Sequence, residues 1–258
     1  MNKMIWFLPI LLVACASDGG SRRIREPVMQ QQVVGESRTK AKDRVELAGA
    51  YYQDRQFGVA LEEVRKAVMI DSSYAPAQNL LALIYMELGQ KVLAQEAFER
   101  ALQLAPGDPD ISNNYGWFLC QNGQEQKSLT YFQTALSDPL YSTPATALVN
   151  AAICSSKLKD DKSAEDFLLR ALKGDPDNIR ALYQLSELYY KVGRYSDARQ
   201  RISEYHGRVE PTAGSTWLAL RIARGLGNRR DEAAFMGALR RNFPKSVEFQ
   251  KLQQDQFQ

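Results

Sequence analysis

The amino-acid sequence predicts an all-α protein, a superhelical solenoid built from six consecutive helix–turn–helix copies. A small residue recurs in the second helix of every copy, at intervals of 34 to 36 residues. A second position repeats seven residues further along and changes character only in the last two copies. The first set is Ala60, Ala94, Ser128, Ala164, Ala198 and Ala233; the second is Ala67, Ala101, Ala135, Ala171, Tyr205 and Arg240. A unit of this length cannot bury its apolar face alone, so successive copies must stack.

Copy two shows the elements of one unit in order. Its first helix carries Leu81-Ala82 and Tyr85, a turn follows at Gly89, and the second helix carries Ala94 and Phe98 before Pro106. This pattern resembles the tetratricopeptide (TPR) repeat, which implies a right-handed superhelix with an open concave surface. Copy one has Arg55 in place of the turn glycine, and copy six has a turn that we expect to be one residue longer. The predicted single TPR domain covers 39–258, with copies at 41–74, 75–108, 109–142, 145–178, 179–212 and 213–247 and then a C-terminal tail.

The N-terminus predicts export and lipidation. Lys3 precedes an apolar run from Met4 to Ala14, which as a helix spans only ~16 Å, too short for a bilayer core of ~30 Å. A charged start and a short apolar run are typical of a signal peptide, here residues 1–14. Leu12-Val13-Ala14-Cys15 resembles the bacterial lipobox, and an ordinary signal with a chance cysteine is the alternative. The resemblance implies an acyl lipid on Cys15 and, because Ala16 is not aspartate, the outer membrane.

Residues 15–38 change in composition and show no helical period. They contain Ser17-Asp18-Gly19-Gly20-Ser21, three arginines and a run of glutamines. We therefore predict a flexible tether between the lipid and the repeats. The arginines either contact anionic headgroups or are simply solvated.

Composition excludes several classes of function. The formal charge of +3 falls to +2 when Lys3 is removed with the signal, and this near-neutral balance argues against nucleic acid as a partner. His206 is the one histidine, and no cysteine or carboxylate stands near it at metal-ligand spacing. No nucleophile elbow, phosphate loop or zinc-protease motif is present. We expect no enzyme activity, no metal and no cofactor apart from the covalent lipid.

Two cysteines remain once Cys15 is assigned to lipid. Cys120 and Cys154 fall late on the first helices of copies three and four, and first helices of adjacent copies are neighbours in the repeat architecture. In an oxidising compartment this pair predicts a disulfide. Two buried free thiols are the alternative.

The concave face of this architecture is lined by defined positions of the first helices. Apolar residues there that stacking does not need indicate a binding surface, and in peptide-binding repeats an asparagine at position six holds the ligand backbone because its amide donates and accepts. The alternative is that Trp117 fills core and the asparagines are merely solvated. The predicted groove comprises Asn79, Leu83, Met86, Asn113, Asn114, Trp117, Val149, Asn150, Ile153, Arg180 and Tyr183.

Motifs outside the general repeat pattern point to a narrower family. Together with the lipobox and six copies, they resemble the PilF/PilW family of lipoproteins for type IV pilus biogenesis, and the paired cysteines resemble its PilW branch. The motifs are Asn113-Asn114-Tyr115-Gly116-Trp117-Phe118-Leu119-Cys120, Asp138-Pro139-Leu140-Tyr141, Ala152-Ile153-Cys154-Ser155 and Asn242-Phe243-Pro244-Lys245-Ser246.

That resemblance implies a pilotin or pilus-stability factor. It implies a lipid anchor in the inner leaflet of the outer membrane, a domain facing the periplasm, and the secretin subunit of the pilus machinery as partner. We expect a monomer that promotes localisation, multimerisation or stability of the secretin. Two alternatives are a lipidated adaptor for barrel assembly or cell-wall enzymes and, less compatible with this length, a cell-wall hydrolase.

Overall fold

The computed structural model describes the backbone of residues 28–254 and the side chains of 35–254. Thirteen α-helices and no strand occur in this part of the chain, so the predicted all-α TPR solenoid is confirmed. The signal sequence, the lipobox and Cys15 lie outside the described residues. The helices are α1 (Val28–Gln53), α2 (Phe57–Ile70), α3 (Ala75–Glu87), α4 (Lys91–Leu104), α5 (Pro109–Gln121), α6 (Glu125–Ser137), α7 (Pro144–Lys157), α8 (Asp161–Gly174), α9 (Ile179–Lys191), α10 (Tyr195–His206), α11 (Ala213–Gly225), α12 (Arg229–Asn242) and α13 (Val247–Gln253).

The turn inside each copy uses a residue in the left-handed conformation. All six turn residues have φ between 60° and 78°, a region that glycine adopts freely and other residues adopt at a cost. Four of them are glycines, and the two exceptions are Arg55 in copy one and Lys159 in copy four. The six residues are Arg55, Gly89, Gly123, Lys159, Gly193 and Gly227. They fix the register of every copy independently of the small-residue pattern.

The stack curves towards the first helices. Within residues 28–254, first helices of successive copies contact one another from α1 through α11, whereas no two second helices do. Each second helix instead bridges its own first helix and the next one. The first helices therefore occupy the shorter, inner arc, which is the face that the sequence analysis assigned to a partner.

Helix α1 corrects the predicted tether. The sequence analysis assigned residues 28–38 to a flexible segment, but they belong to α1. Arg38 is tied down as well: its guanidinium pairs with Asp71 at 2.5 Å and donates to Ser73 at 3.0 Å. The predicted tether is thus shortened at its C-terminal end.

Close helix approach depends on two small-residue positions. Ala94 in α4 and Ala82 in α3 are fully buried, and the equivalent residues of the other early copies are equally small and buried. Gly116 marks one of the closest approaches, since a Cβ built on it would lie 2.9 Å from the ring of Phe132. The facing large side chains fill the layer between helices, as dense packing requires. Phe98 and Phe132 are the largest of these in α4 and α6.

Copy six departs from the prediction in register. Its turn residue is Gly227, so the turn is not longer, and the small-residue position falls on Glu232 rather than Ala233. Glu232 forms an ion pair with Arg224 at 2.7 Å, whereas Ala233 is exposed. The second marker is Leu239, fully buried, and not Arg240. A larger residue at this position keeps α12 further from α11, and only Leu239 of α12 is fully covered.

The predicted C-terminal tail contains a further helix. Ser246 caps α13 by accepting from the backbone N–H of Phe249 at 3.1 Å. Phe249 and Leu252 pack against the cluster formed by Trp217, Leu220 and Leu239. Helix α13 therefore covers the end of the last copy, a role that terminal elements commonly have in solenoids.

Candidate partner-binding groove

Four asparagines form a hydrogen-bonded row along the inner face, here called the asparagine ladder. Asn114 donates from its side-chain amide to Asn79 at 3.3 Å, which joins α5 to α3. Asn113 donates to Asn114 at 3.4 Å, and Asn150 donates to Asn113 at 3.0 Å, which joins α7 to α5. The ladder ends at Arg180 of α9, which donates to the side-chain oxygen of Asn150 at 3.2 Å. Side chains from four successive copies are thus in one continuous network.

The ladder residues are not equally accessible. Asn113 and Asn150 are 6% and 5% exposed, so their amides serve the stack itself. The prediction that Asn113 and Asn150 line the groove surface is therefore corrected, because adjacent first helices approach closely enough to cover them. Asn79 and Asn114 remain partly exposed and keep hydrogen-bonding capacity for a ligand.

The apolar residues of the predicted groove also differ in accessibility. Val149 is 1% exposed and belongs to the core, which corrects its assignment to the groove. Leu83 and Met86 are partly buried against the core of copies one to three, and Ile153 is partly buried against that of copies four and five. Each of these three keeps part of its surface exposed.

The sequence left open whether Trp117 fills the core or lines the groove. It is partly buried and packs against the cluster of Cys120, Phe132, Ala151 and Cys154. Within that cluster Cys120 and Cys154 form a disulfide, with their Cα atoms 5.9 Å apart. The bond links α5 to α7, the helices that Asn113 and Asn150 also connect. Trp117 therefore covers part of a cross-linked interface and keeps part of its own surface exposed.

A small cavity of about 290 Å³ adjoins the end of the ladder. Its walls include Ile153 of α7, Ile179 and Tyr183 of α9, and Tyr205 of α10, with the rings of Tyr183 and Tyr205 5.5 Å apart. Arg180 lies at its edge, and partial loss of water there lowers the pKa of the guanidinium. The cavity combines largely apolar and aromatic walls, the polar residues Gln184 and Thr212, and one cationic group.

Beyond the cavity, copies five and six contribute an aromatic and charged cluster. The Arg221 guanidinium lies 4.6 Å from the ring centre of Tyr190 and 6.0 Å from that of Trp217. Burial raises the pKa of Glu187, although Tyr183 and Arg221 favour its charged form, and burial raises the pKa of Tyr183 to about 12. Sequence reasoning missed the part that copy six plays here, because the repeat pattern is weakest there.

The described residues offer little support for a metal site, for catalysis by His206 or for a membrane-spanning helix. Across 28–254 no group of three or more His, Cys, Asp and Glu side chains is placed to hold a metal ion. His206 is partly buried, its Nε2 lies 3.0 Å from the hydroxyl of Ser215, and burial lowers its pKa. The contact between His206 and Ser215 joins α10 to α11. None of the described helices has the length and apolar character needed to cross a bilayer.

The class of protein follows from the stacked hairpins and their inner face. The tetratricopeptide repeat family matches residues 75–108, 97–130 and 159–206. Repeats of this kind present an extended concave surface to a partner. The chain is thus a tetratricopeptide-repeat protein. Its candidate groove contains the asparagine ladder, the partly exposed apolar residues Leu83, Met86 and Ile153, and Arg180 at one end.

The similar proteins narrow that class. The chain is 34% identical to PilW, a widely conserved type IV pilus biogenesis factor whose crystal structure it matches with a TM-score of 0.79, over 82% of this chain and 97% of that one. It is 25% identical over 251 residues to the type IV pilus assembly protein PilF of Pseudomonas aeruginosa, covering 97% of this chain and 96% of PilF. The PilF structure matches with 26% identity and a TM-score of 0.75, over 84% and 99% of the two chains.

The chain belongs to the PilF/PilW family, as its sequence motifs predicted. Members of this family are repeat adaptors, so the prediction that the chain is not an enzyme is confirmed by its membership.

Proposed function

We propose that this chain is a lipid-anchored adaptor of type IV pilus biogenesis that binds the secretin subunit in the periplasm. The observation that carries the pilus role is similarity to PilF and PilW over nearly the whole repeat domain. The groove supports binding to a protein segment, since it offers exposed amides, apolar surface and a cationic group side by side.

The anchor in this proposal is the lipid on Cys15. The sequence Leu12-Val13-Ala14-Cys15-Ala16 supports it, together with an apolar run too short to span a bilayer. Several acyl chains hold a protein firmly because each buried CH₂ contributes ~0.8 kcal/mol. A secretin segment held by an anchored adaptor is concentrated at the inner leaflet of the outer membrane, which favours multimerisation. The adaptor acts as a monomer in this scheme.

Membrane fractionation tests the anchor. Cys15→Ser is expected to release the protein from the outer membrane or misplace it, whereas Ala16→Asp is expected to keep it lipidated but move it to the inner membrane. A strain lacking the secretin removes retention through the partner. Sedimentation of Cys15→Ser with the outer membrane in that strain would show that lipid is not the anchor.

Co-purification from detergent-solubilised membranes tests the partner. The secretin is expected with the wild-type chain and reduced with Asn114→Ala and Trp117→Ala, alongside fewer secretin multimers and surface pili. Trp117→Phe is the control for packing against the disulfide cluster, and circular dichroism checks that each variant is folded. Recovery of barrel-assembly components or cell-wall enzymes in place of secretin supports the alternative adaptor role.

A further inference from the structure

Among the described residues, Arg180 differs from three other arginines of its copy in having no ion pair with a carboxylate. Arg194 pairs with Glu165 and Asp197 at 2.7 Å, Arg201 with Glu204 at 2.9 Å, and Arg208 with Asp177 at 2.7 Å. Arg180 instead donates a hydrogen bond to the neutral side-chain amide of Asn150. The residue remains exposed to solvent, and partial burial of its guanidinium lowers the pKa without any contribution from a carboxylate.

The surroundings of Arg180 fit one kind of ligand. A guanidinium offers a planar set of donors that matches a carboxylate bidentately. The adjoining cavity of about 290 Å³ has apolar and aromatic walls from Ile153, Ile179, Tyr183 and Tyr205, with Gln184 and Thr212 also lining it, and it has room for one bulky apolar side chain. An accessible cation beside this largely apolar cavity therefore complements a carboxylate beside an apolar residue.

The groove continues on both sides of this point. The asparagine ladder extends from Arg180 towards Asn79, and Tyr183 of the cavity wall lies close enough to Arg221 of copy six for the two to interact electrostatically. A bound segment can thus pass across Arg180 in either direction without ending there. This favours the side chain of an internal Asp or Glu over the carboxylate of a chain terminus.

We propose that Arg180 and its cavity bind an internal acidic residue, flanked by a bulky apolar residue, in an extended segment of the partner protein. The partner's backbone then follows the exposed amides of Asn114 and Asn79. The inference rests on the proposed adaptor function and adds the chemistry of the segment that is recognised.

The test selects a phage-displayed library of random dodecapeptides on the purified full chain in detergent. Enriched peptides are expected to share an Asp or Glu next to a large apolar residue. In fluorescence anisotropy, changing that residue to Asn or Gln is expected to weaken binding to the wild-type chain roughly tenfold or more, as loss of a charge-assisted pair does. With Arg180→Gln the same peptide change is expected to have little effect, which completes a double-mutant cycle.

Two matched variants keep the test decisive. Arg229→Gln, on the exposed start of α12, is expected to leave the cycle unchanged. Arg180→Lys keeps the charge but not the bidentate geometry, and is expected to retain part of the acidic preference even if Arg180→Gln does not fold. Failure to enrich peptides, enrichment without an acidic position, or an acidic preference that is undiminished in Arg180→Gln overturns the proposal. If Arg180→Gln does not fold, an undiminished acidic preference in Arg180→Lys overturns it. If the secretin still co-purifies in those cases, the adaptor function stands; if it fails to co-purify with the wild-type chain, that function fails instead.

Discussion

The side-chain amide of Asn150 donates a hydrogen bond to the side-chain oxygen of Asn113, 3.0 Å away, inside the interface between α7 and α5. Both residues are nearly inaccessible to water. A buried amide that loses its partner keeps the cost of having left water, so each residue depends on the other. The pair also places Asn114 and Arg180, which it contacts on either side, at a defined spacing along the groove.

Removal of the buried amide is expected to destabilise the stack. Asn150→Ala removes the donor that bonds to Asn113 and the acceptor that bonds to Arg180. It is therefore expected to lower the free energy of unfolding by about 1–3 kcal/mol. Urea denaturation followed by circular dichroism measures the loss. Asn79→Ala, at the partly exposed end of the ladder, is the control and is expected to cost much less. Equal losses in the two variants would contradict a special role for the buried pair.

Gly116 is expected to tolerate no side chain. Its Cβ would lie 2.9 Å from the ring of Phe132, which is 1% exposed and cannot turn aside, so Gly116→Ala is expected to cost about 1–3 kcal/mol. Gly225 is a matched control, because its Cβ would lie 2.8 Å from the ring of Tyr195, which is partly exposed and free to move. Thermal denaturation should therefore rank Gly116→Ala well below Gly225→Ala. The opposite ranking would show that α5 and α6 adjust easily.

The turn of copy four is expected to gain from a glycine. Lys159 adopts φ 62°, where a side chain costs energy, so Lys159→Gly is expected to raise stability by about 1 kcal/mol. The reciprocal change Gly193→Ala, at φ 78° in the next copy, is expected to lower stability by about 1–2 kcal/mol. Both are measured by urea denaturation. A loss in Lys159→Gly would mean that its side chain stabilises the turn by contacts that outweigh the strain.

The disulfide between copies three and four is expected in protein isolated without a reducing agent. Mass spectrometry of unreduced fragments should show Cys120 joined to Cys154, and replacement of both by alanine is expected to cost about 2–4 kcal/mol. Reduction of the wild-type protein should lower its melting temperature, whereas the double variant should be insensitive to reductant. Full alkylation of both thiols without reduction contradicts the expectation.

The sequence pattern predicted the fold well because the same constraint recurs in every copy. Ala60, Ala94, Ser128, Ala164 and Ala198 are all fully buried where their helices meet. The prediction failed for Ala233, because the equivalent position lies one residue earlier and holds Glu232. A partly exposed ion pair between Glu232 and Arg224 replaces the small-residue contact there, and the periodic pattern contains no signal for such an exchange.

The candidate site was predictable in position but not in accessibility. Position within the repeat correctly brought Asn79, Asn114 and Arg180 to one face. It could not distinguish Asn114 from the buried Asn150, although both occupy position six, because the spacing of adjacent first helices decides which side chain is covered. The hydrogen bonds that make the asparagines a single network arise only from that spacing.

The disulfide of copies three and four gives the solenoid an uneven mechanical response. Copies in a solenoid contact only their neighbours, so tension on the two chain ends can peel them away one at a time. The bond closes a segment of 34 residues, which cannot be drawn out while Cys120 and Cys154 remain joined. Under load the outer copies therefore unravel first, and reduction would lengthen the fully extended chain by roughly 110 Å.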